Sequence, residues 1–474
     1  MDKTVIVVGA GIKGLYIARE LSNLGYEVTI LERSEKAGGK FETIRSPLFT
    51  DGAFAEMGAM RVLESDAKFL RLLKQLSIAI TPFLEYNENA PYSINSHVGK
   101  TKDLNLGVLI DAGFVERYET ENVDGLSREM TFDQIIDLAF ENAEDVIHDQ
   151  NNGKSMSIIE YLSIPGKGQF SRKCAKLILD LRLGKNFLSG ELCPSVLEFL
   201  HYKKHASEKA FAIKDGFDSV IQSLINEHSE KSIKLVLQTE VISVDYSRPD
   251  YVEVFCKKVG LERIETFQAN SVLFASPCLQ KIKFTPQLPY VHQEMIHMKL
   301  LTECVPAVKS VLRFDDCFWQ NKEHGGVVGG TCLYGPSLIN QIRLPPFNCK
   351  EEGYVMIYLL GEPVHDWISI SKEDRINEVL EALDSLFPSM KGNTRKNFKD
   401  ISEVVWNEPG SGAYILFDAE KIRDTMKPVD RLVFSSVPRG WVEDTLTDGQ
   451  LALEQIQNIF DHRKEMSHES ECKK

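Results

Sequence analysis

The chain of 474 residues contains neither internal repeats nor low-complexity segments. No apolar run reaches the roughly 18 residues that a membrane-spanning helix needs. Positive charge is in deficit, since the formal net charge is −14. A chain this acidic is a poor ligand for nucleic acid or for an anionic membrane surface. These absences exclude a helical membrane span and argue against a nucleic-acid or membrane partner.

Cysteine motifs are missing as well. The nine cysteines are scattered without a CxxC pair or metal-ligand spacing, so we predict no metal site. An odd count without a pairing pattern is typical of reduced thiols in a cytoplasm. An apolar segment begins as early as Val5 and leaves no room for a signal peptide. We therefore expect a cytoplasmic protein with reduced cysteines.

What is present is an ordinary globular composition. Hydrophobic residues make up 43% of the chain and charged residues 26%. At roughly 150 residues per domain, the length predicts two or three domains with ample cores.

The strongest local pattern lies at the beginning of the chain. An apolar run at 5–8 enters the sequence GAGIKG at 9–14, and a helical pattern follows. A second apolar run at 28–31 ends on Glu32. A strand, a glycine turn, a helix and a strand that ends in an acid form the fingerprint of dinucleotide-binding units.

Each residue of this fingerprint has a chemical reason. Gly9 permits the tight turn, Gly11 lets the backbone approach a pyrophosphate, and Gly14 lets the helix pack close to the sheet. The helix N-terminus offers N–H groups and a positive dipole end to the phosphates. Glu32 is placed to accept hydrogen bonds from the adenosine ribose.

The segment after Glu32 favours FAD over NAD. Residues 35–40 (EKAGGK) supply a second glycine pair, which includes Gly39, and the cation Lys40. This pattern is that of the glutathione-reductase-like flavoproteins, which usually carry Arg where this chain has Lys40. Lysine keeps the charge but loses the bidentate fork of arginine.

Periodicity along the rest of the chain predicts further elements. Strands are expected at 41–44, 233–237, 241–245, 252–255, 271–274, 306–314, 354–360 and 432–435. Helices are expected at 65–76, 132–142, 158–162, 171–183, 218–226, 375–386 and 445–462, with a helical insertion up to about 205. The charged tail from 463 to 474 is expected to be disordered.

Together these motifs resemble the flavin-dependent amine oxidases, in particular their L-amino-acid oxidase branch. The resemblance covers nearly the whole chain and is thinnest between 86 and 200. It implies an α/β fold, α+β overall, with FAD as the cofactor. A Rossmann-like FAD-binding domain of the glutathione-reductase-like type would comprise 1–65, 206–290 and 405–462. A substrate domain with a mixed sheet and helices would comprise 66–205 and 291–404.

The resemblance also implies the residues of a substrate site. In the sequence EMGAMR at 56–61, Gly58, Ala59 and Met60 match positions beside the flavin, and Arg61 matches the residue that binds the substrate carboxylate. Planar carboxylate recognition needs the permanently charged fork of arginine. Lys309 matches the lysine that holds a water against the flavin and assists reoxidation by oxygen. Tyr358 matches the tyrosine that shares the carboxylate with the arginine.

Other matches concern the cofactor. Val241 corresponds to the residue whose backbone holds the adenine. Trp406, with Gly412-Ala413-Tyr414 after it, resembles an element beside the flavin. Trp441, followed by Val442, matches the residue whose ring walls the substrate cavity.

One position departs from the family. An acid that binds the flavin ribityl chain usually follows the last strand, whereas this chain has Ser435-Ser436. Ser436 can still accept a hydrogen bond, but a neutral bond contributes about 1 kcal/mol and a charge-assisted one a few kcal/mol. We therefore expect a weaker hold on the ribityl chain.

The leading hypothesis is FAD-dependent oxidation of an L-α-amino acid to the imino acid, which hydrolyses to a 2-oxo acid and ammonia, while oxygen becomes hydrogen peroxide. A flavin monooxygenase that decarboxylates an amino acid to an amide is one alternative. A polyamine or monoamine oxidase and a non-catalytic flavin-fold protein are the others. A homodimer is a common outcome for the family.

Overall fold

The computed structural model describes residues 3–45, 49, 53–113, 127–140, 160–161, 208–229, 231–276, 279–294, 304–335, 337–347, 352–407, 414–415, 427–435 and 441–471. The helix expected at 171–183 and most of the helical insertion lie outside the described residues. Gly412, Ala413 and Ser436 also lie outside them.

The strands follow in chain order. They are β1 (Thr4–Val8), β2 (Glu27–Leu31), β3 (Thr43–Ile44), β4 (Ala55–Glu56), β5 (Val62–Leu63), β6 (Ile80–Pro82), β7 (Pro91–Ile94), β8 (His97–Lys100), β9 (Ala210–Ile213), β10 (Ile233–Val236), β11 (Thr239–Asp245), β12 (Val252–Lys258), β13 (Ile264–Ala269), β14 (Ser271–Phe274), β15 (Lys283–Thr285), β16 (Cys304–Val305), β17 (Ala307–Phe314), β18 (Thr331–Gly335), β19 (Gln341–Arg343), β20 (Gly353–Leu360), β21 (Phe398–Trp406), β22 (Tyr414–Ile415) and β23 (Leu432–Phe434).

The α-helices are interspersed with short 3₁₀ turns. They are α1 (Ile12–Asn23), α2 (Ala67–Gln75), α3 (Leu106–Asp111), α4 (Phe132–Phe140), α5 (Asp218–Ser229), α6 (Tyr290–Glu294), α7 (Glu362–Ser369), α8 (Lys372–Leu386), α9 (Thr394–Asn397) and α10 (Val442–Glu471).

Strands from the beginning, the middle and the last part of the chain form a parallel sheet in the order β10-β2-β1-β14-β23. Its strands pair in parallel throughout, with Val5 opposite Val28 on one side and opposite Ser271 on the other. Successive side chains point to opposite faces: Val5 and Val7 lie in one buried cluster, and Ile6 and Val8 in another. Helices α1, α5 and α10 cover the first face, and β11 and β12 cover the second. Coverage on both faces is what a parallel sheet requires.

A larger mixed sheet holds the strands in the order β21-β17-β20-β19-β18-β7-β8. Strand β17 is buried along its whole length between antiparallel β20 and β21. Its register sets Lys309 opposite Tyr358 on β20 and opposite Val404 on β21. Helices α7 and α8 pack their apolar residues on the other face. This sheet therefore fixes the positions of the two family-matched polar residues.

The mixed and parallel sheets confirm the predicted α/β class. The discontinuous FAD domain at 1–65, 206–290 and 405–462 and the substrate domain at 66–205 and 291–404 stay predictions, because the strand pairings do not by themselves fix domain boundaries.

Three local expectations differ from the structure. Helix α10 continues to Glu471, through most of the tail for which the sequence predicts disorder, because an established helix propagates at low cost through residues with little apolar content. The pattern at 398–406 does not predict a strand, yet the structure forms β21 there.

Cys317 is disulfide-bonded, so the expectation of reduced thiols is wrong for this residue. Spacing along a chain does not report which cysteines the fold brings together. Cys256 and Cys332 are buried and free.

Within the described part of the chain, no helix is both long and apolar enough to cross a membrane.

Candidate active site

The glycine turn after β1 is tightly constrained on one side and open on the other. Gly9 has a φ of +105°, and its N–H donates to the Leu31 carbonyl at 2.8 Å. A Cβ at Gly14 would lie 2.0 Å from the Gly9 carbonyl oxygen, so only glycine lets α1 pack there. A Cβ at Gly11 would meet none of the described atoms within 4 Å. Gly11 therefore borders open space at the N-terminus of α1, which fits a pyrophosphate group.

Glu32 closes the same end of the sheet. Its carboxylate accepts the N–H of Ala10 at 2.7 Å and that of Ser34 at 2.8 Å. Its carbonyl accepts the N–H of Thr239 at 2.8 Å, which brings the start of β11 and nearby Val241 to this edge. Each carboxylate oxygen keeps a lone pair for a further donor such as a ribose hydroxyl.

The second glycine pair packs directly on the first turn. Gly38 donates its N–H to the Ala10 carbonyl at 2.9 Å. A Cβ at Gly39 would lie 3.2 Å from the Gly11 Cα atom. The glycine turn at 9–14 and the glycine pair at 38–39 are separated in sequence but thus form one wall of the open space beside Gly11.

Lys40 links this wall to the EMGAMR segment through its backbone. Its carbonyl accepts the N–H of Ala59 at 2.8 Å. A Cβ at Gly58 would lie 1.8 Å from the same carbonyl oxygen, so Gly58 is required for the close approach. The segment that carries Arg61 is therefore fixed against the dinucleotide-binding unit.

Lys309 is enclosed beneath that segment. The residue is 2% exposed. Its Nζ donates hydrogen bonds to the carbonyl oxygens of Glu56 at 3.1 Å and Gly58 at 2.5 Å. The Nζ lies 5.0 Å from the centre of the Tyr358 ring. Burial lowers the pKa of Lys309 to about 7, and the nearby Glu56 carboxylate opposes part of this effect. Lys309 can therefore gain or lose a proton near neutral pH.

Glu56 is a second buried titratable group. Its carboxylate accepts the Phe217 N–H and the Thr43 hydroxyl, each at 2.8 Å. Burial raises the pKa of Glu56 to about 7, against the lowering effects of these hydrogen bonds and of Lys309. No sequence motif indicates this role for Glu56.

Arg61 lies beside Trp441 and in an ion pair. The guanidinium carbon is 5.2 Å from the centre of the Trp441 ring, within reach of a cation–π interaction. Its Nη1 pairs with the carboxylate of Glu85, and Arg343 pairs with the same carboxylate at 3.1 Å. The guanidinium carbon of Arg343 lies 5.9 Å from the centre of the Tyr358 ring. Arg343 and Glu85 thus join a site that the sequence motifs did not indicate.

Helix α10 is anchored where it supports Trp441. Val442 begins the helix, and the Glu443 carboxylate accepts the N–H groups of Lys68 at 2.9 Å and Phe69 at 3.1 Å, at the start of α2. Such a bond satisfies N–H groups that a helix N-terminus leaves open. Trp406 is anchored separately, since its Nε1 donates to the Met57 carbonyl at 3.2 Å.

A buried cation lies at the end of the last strand of the parallel sheet. Lys13, in the first turn of α1, donates to the Ser435 carbonyl at 2.8 Å and lies 3.9 Å from the Asp448 carboxylate. The two charged side chains are 7% and 10% exposed. The residue expected to replace the ribityl-binding acid, Ser436, lies outside the described residues.

A cavity of about 320 Å³ adjoins the site. Its wall includes Glu56, Met60 and Arg343, along with Tyr354 and Met356 on the same face of β20 as Tyr358. Most of the remaining wall is apolar. The cavity lies next to the arginine pair and can hold an organic group of moderate size.

The fold brings the predicted residues into two groups. Gly9, Gly11, Gly14, Glu32 and Gly39 surround the open end of α1. Arg61, Lys309, Tyr358, Trp406 and Trp441 meet around the EMGAMR segment. Backbone contacts at Lys40 and Gly58 join the two groups. Their individual roles toward cofactor and substrate stay predictions.

The structure joins a glycine turn of the dinucleotide-binding type to a buried site that holds an arginine, a titratable lysine and a titratable carboxylate. The chain belongs to the flavin containing amine oxidoreductase family, whose model matches residues 13–456.

Its relatives agree with this membership. The chain is 24% identical to the L-amino-acid oxidase of Mus musculus over 481 aligned positions, covering 96% of this chain and 71% of the relative. It is 25% identical to the L-amino-acid oxidase of Bothrops atrox, covering 98% of this chain and 90% of the relative.

Two solved structures have a similar fold. Putrescine oxidase bound to putrescine superimposes with a TM-score of 0.67 at 17% identity, covering 97% of this chain and 99% of that one. Cyclohexylamine oxidase from Brevibacterium oxydans superimposes with a TM-score of 0.68 at 16% identity, covering 97% of this chain and 100% of that one. As a member of the flavin containing amine oxidoreductase family, the protein is an oxidoreductase with FAD as its cofactor.

Proposed function

We propose that this enzyme oxidises an L-α-amino acid to the imino acid, which then hydrolyses to a 2-oxo acid and ammonia, with oxygen reduced to hydrogen peroxide. The observation that carries the proposal is Arg61, a largely buried guanidinium beside Trp441 whose charge also acts on Lys309. A buried arginine fork suits the α-carboxylate of an amino acid, and an amine without a carboxylate has no use for it.

Each residue has a distinct part in this proposal. Arg61 and the Tyr358 hydroxyl bind the carboxylate and orient the substrate Cα–H. The Trp441 ring excludes water from one side of the site. Bound FAD, held at the glycine turn of Gly9, Gly11 and Gly14, would supply the hydride acceptor. Lys309 holds a water by its amine and assists the reaction with oxygen. No general base is required when the amine enters neutral.

A second candidate is an oxidase of amines that lack a carboxylate. It is favoured by one observation: Glu85 already occupies the Arg61 fork. On this alternative the arginine is a structural partner of Glu85 and takes no part in substrate recognition.

An oxygen-consumption assay of the FAD-loaded protein against the twenty amino acids and a set of simple amines tests the proposal. Arg61→Gln should raise KM for the amino-acid substrate by about 10- to 100-fold, the equivalent of one lost charge-assisted contact. Arg71→Gln, on the exposed face of α2, is the matched control and should leave KM unchanged.

Product analysis completes the test. A 2-oxo acid, ammonia and peroxide are expected. An amide with carbon dioxide would identify a monooxygenase instead. Turnover of carboxylate-free amines that is insensitive to Arg61→Gln would overturn the amino-acid proposal in favour of the second candidate.

The sequence predicts a cytoplasmic enzyme, and a homodimer is a common outcome for the family that the sequence resembles. We retain the dimer as a proposal that light scattering tests. The disulfide at Cys317 is more typical of an oxidising compartment, so a thiol count of the protein purified under a thiol-blocking reagent tests the location.

A further inference from the structure

Glu85 places a carboxylate where the substrate carboxylate is expected. One of its oxygens pairs with Arg61, and the other lies 3.1 Å from Nη1 of Arg343. The Arg61 and Arg343 side chains are 11% and 18% exposed, and that of Glu85 is 30% exposed. The three groups form a shielded Arg–Glu–Arg cluster.

The cluster belongs to the substrate site by position. Arg61 lies 5.2 Å from the Trp441 ring centre, and Arg343 lies 5.9 Å from the Tyr358 ring centre. Lys309 is 5.0 Å from that same Tyr358 ring. A ligand carboxylate that binds Arg61 would therefore compete with Glu85 for the same guanidinium.

The charges of the cluster do not balance. Two arginines, which stay protonated, face one carboxylate. Among the described residues, Lys309 and Glu56 are further titratable groups of this site, and the charges of Glu56, Arg343 and Arg61 all act on Lys309. A ligand carboxylate would add a second negative charge opposite the two arginines, and a neutral ligand would not.

Glu85 is held by its backbone in a way that leaves its side chain able to turn. The Glu85 carbonyl accepts the Thr331 hydroxyl at 3.1 Å. Two residues later, the Asn87 amide donates to the Val328 carbonyl at 3.0 Å. A change of partner at Glu85 therefore needs a side-chain rotation and no movement of the chain.

We propose that Glu85 is an internal competitor for the carboxylate site, and that Arg343 holds Glu85 when the substrate carboxylate takes Arg61. Glu85 and Arg343 are then specificity-determining residues. A carboxylate displaces Glu85 from Arg61 by replacing one charge-assisted bond with another, whereas an uncharged group cannot. This inference rests on the proposed function, because it takes Arg61 as the carboxylate-binding residue.

Binding of an unreactive pair of ligands tests the inference. Phenylacetate and phenylacetamide have nearly the same shape but differ in charge, and their binding to the FAD-loaded protein is followed by perturbation of the flavin absorption spectrum. Glu85→Gln should lower the phenylacetate Kd by about 10- to 100-fold, the equivalent of one charge-assisted competitor removed. The phenylacetamide Kd should stay the same.

Two variants complete the design. Glu88→Gln makes the same charge change at an exposed residue three positions along the chain and should leave both Kd values unchanged. Arg343→Gln leaves Glu85 wholly to Arg61 and should raise the phenylacetate Kd. A thermal-unfolding readout that does not depend on flavin colour should agree: phenylacetate should raise the Tm of Glu85→Gln more than that of the unmodified protein.

An unchanged or raised phenylacetate Kd in Glu85→Gln overturns the inference, and a raised value would make Glu85 a positioning residue for Arg61. Failure of the proposed function is distinguishable, since it shows as turnover that is independent of Arg61. Arg61-dependent turnover of amino acids with no effect of Glu85→Gln on Kd would overturn this inference alone.

Discussion

Replacing Lys309 by methionine should change how the stability of the protein depends on pH. Burial lowers the pKa of this lysine from 10.5 to about 7. The pKa of 10.5 applies to the unfolded chain and the pKa of about 7 to the native protein. Between pH 7 and pH 10.5, the lysine is therefore protonated in the unfolded chain and neutral in the native protein. The free energy of unfolding rises with pH wherever the unfolded state binds more protons, so Lys309 makes the native protein more stable as pH rises from about 7 to 10.5. Methionine has nearly the same volume but removes this contribution.

The magnitude follows from the width of that window. One proton difference is worth about 1.36 kcal/mol per pH unit, so the two units from pH 8 to pH 10 give about 2.5 kcal/mol, allowing for partial titration at both ends. At about 2.1 cal/mol/K per residue, the unfolding entropy of 474 residues is about 1 kcal/mol/K. The Tm of the unmodified protein minus that of Lys309→Met should therefore increase by about 2–3 °C between pH 8 and pH 10.

Thermal unfolding of both proteins at half-unit steps of pH measures this difference directly. Lys100→Met, at an exposed position on β8, is the control and should give a constant difference. Glu56→Gln should widen the window toward lower pH, because the Glu56 carboxylate raises the pKa of Lys309. A Tm difference between the unmodified protein and Lys309→Met that stays flat from pH 8 to pH 10 would refute the reasoning, since it would mean that Lys309 keeps its proton in the native state.

Three further outcomes are expected. Gly14→Ala should lower both Tm and FAD content, because its Cβ would lie 2.0 Å from a backbone oxygen. Gly11→Ala should leave the Tm of the apoprotein unchanged and weaken FAD binding in a fluorescence titration. Equal Tm values for the Gly14→Ala and Gly11→Ala apoproteins would contradict this prediction. Lys13→Met should lower the free energy of unfolding, measured in urea, by about 3 kcal/mol. The double variant with Asp448→Asn should recover part of that loss, because the two buried charges face each other. Strictly additive effects of the two substitutions would show that the charges are not coupled. Glu443→Gln should lower the free energy of unfolding by about 1 kcal/mol through the weakened cap on α2, while an unchanged value would show that the cap is not formed in solution.

The local part of the fold could be predicted from the sequence because its signals are local. The turn between β1 and α1 follows from the three glycines at 9, 11 and 14, and the structure gives a steric reason for Gly9 and Gly14 and leaves open space at Gly11. The strands at 271–274 and 354–360 follow from buried apolar runs. Strand β21 escaped prediction because it mixes exposed and half-buried residues, so its register with β17 depends on a tertiary partner.

Only the site residues that lie in family motifs could be predicted from the sequence. Arg61, Lys309 and Tyr358 were expected together, and the pairing of β17 with β20 brings the last two face to face. Glu85 and Arg343 lie in no motif, and their contact joins residues that are 258 positions apart. A pairing at that distance leaves no periodic signal in a single sequence.

Different charged residues of this site suit substrate binding and proton transfer. Arg61 and Arg343 stay protonated and suit binding, whereas Lys309 titrates near neutral pH. The same two arginines add to the lowering of the Lys309 pKa through their charge. A substrate carboxylate bound at Arg61 would offset that charge, and the pKa of Lys309 would rise. Linkage makes the effect reciprocal, so protonation of Lys309 would tighten carboxylate binding by the same factor. The affinity of the unmodified protein for phenylacetate should then fall as pH rises through about 7, and that fall should be absent in Lys309→Met.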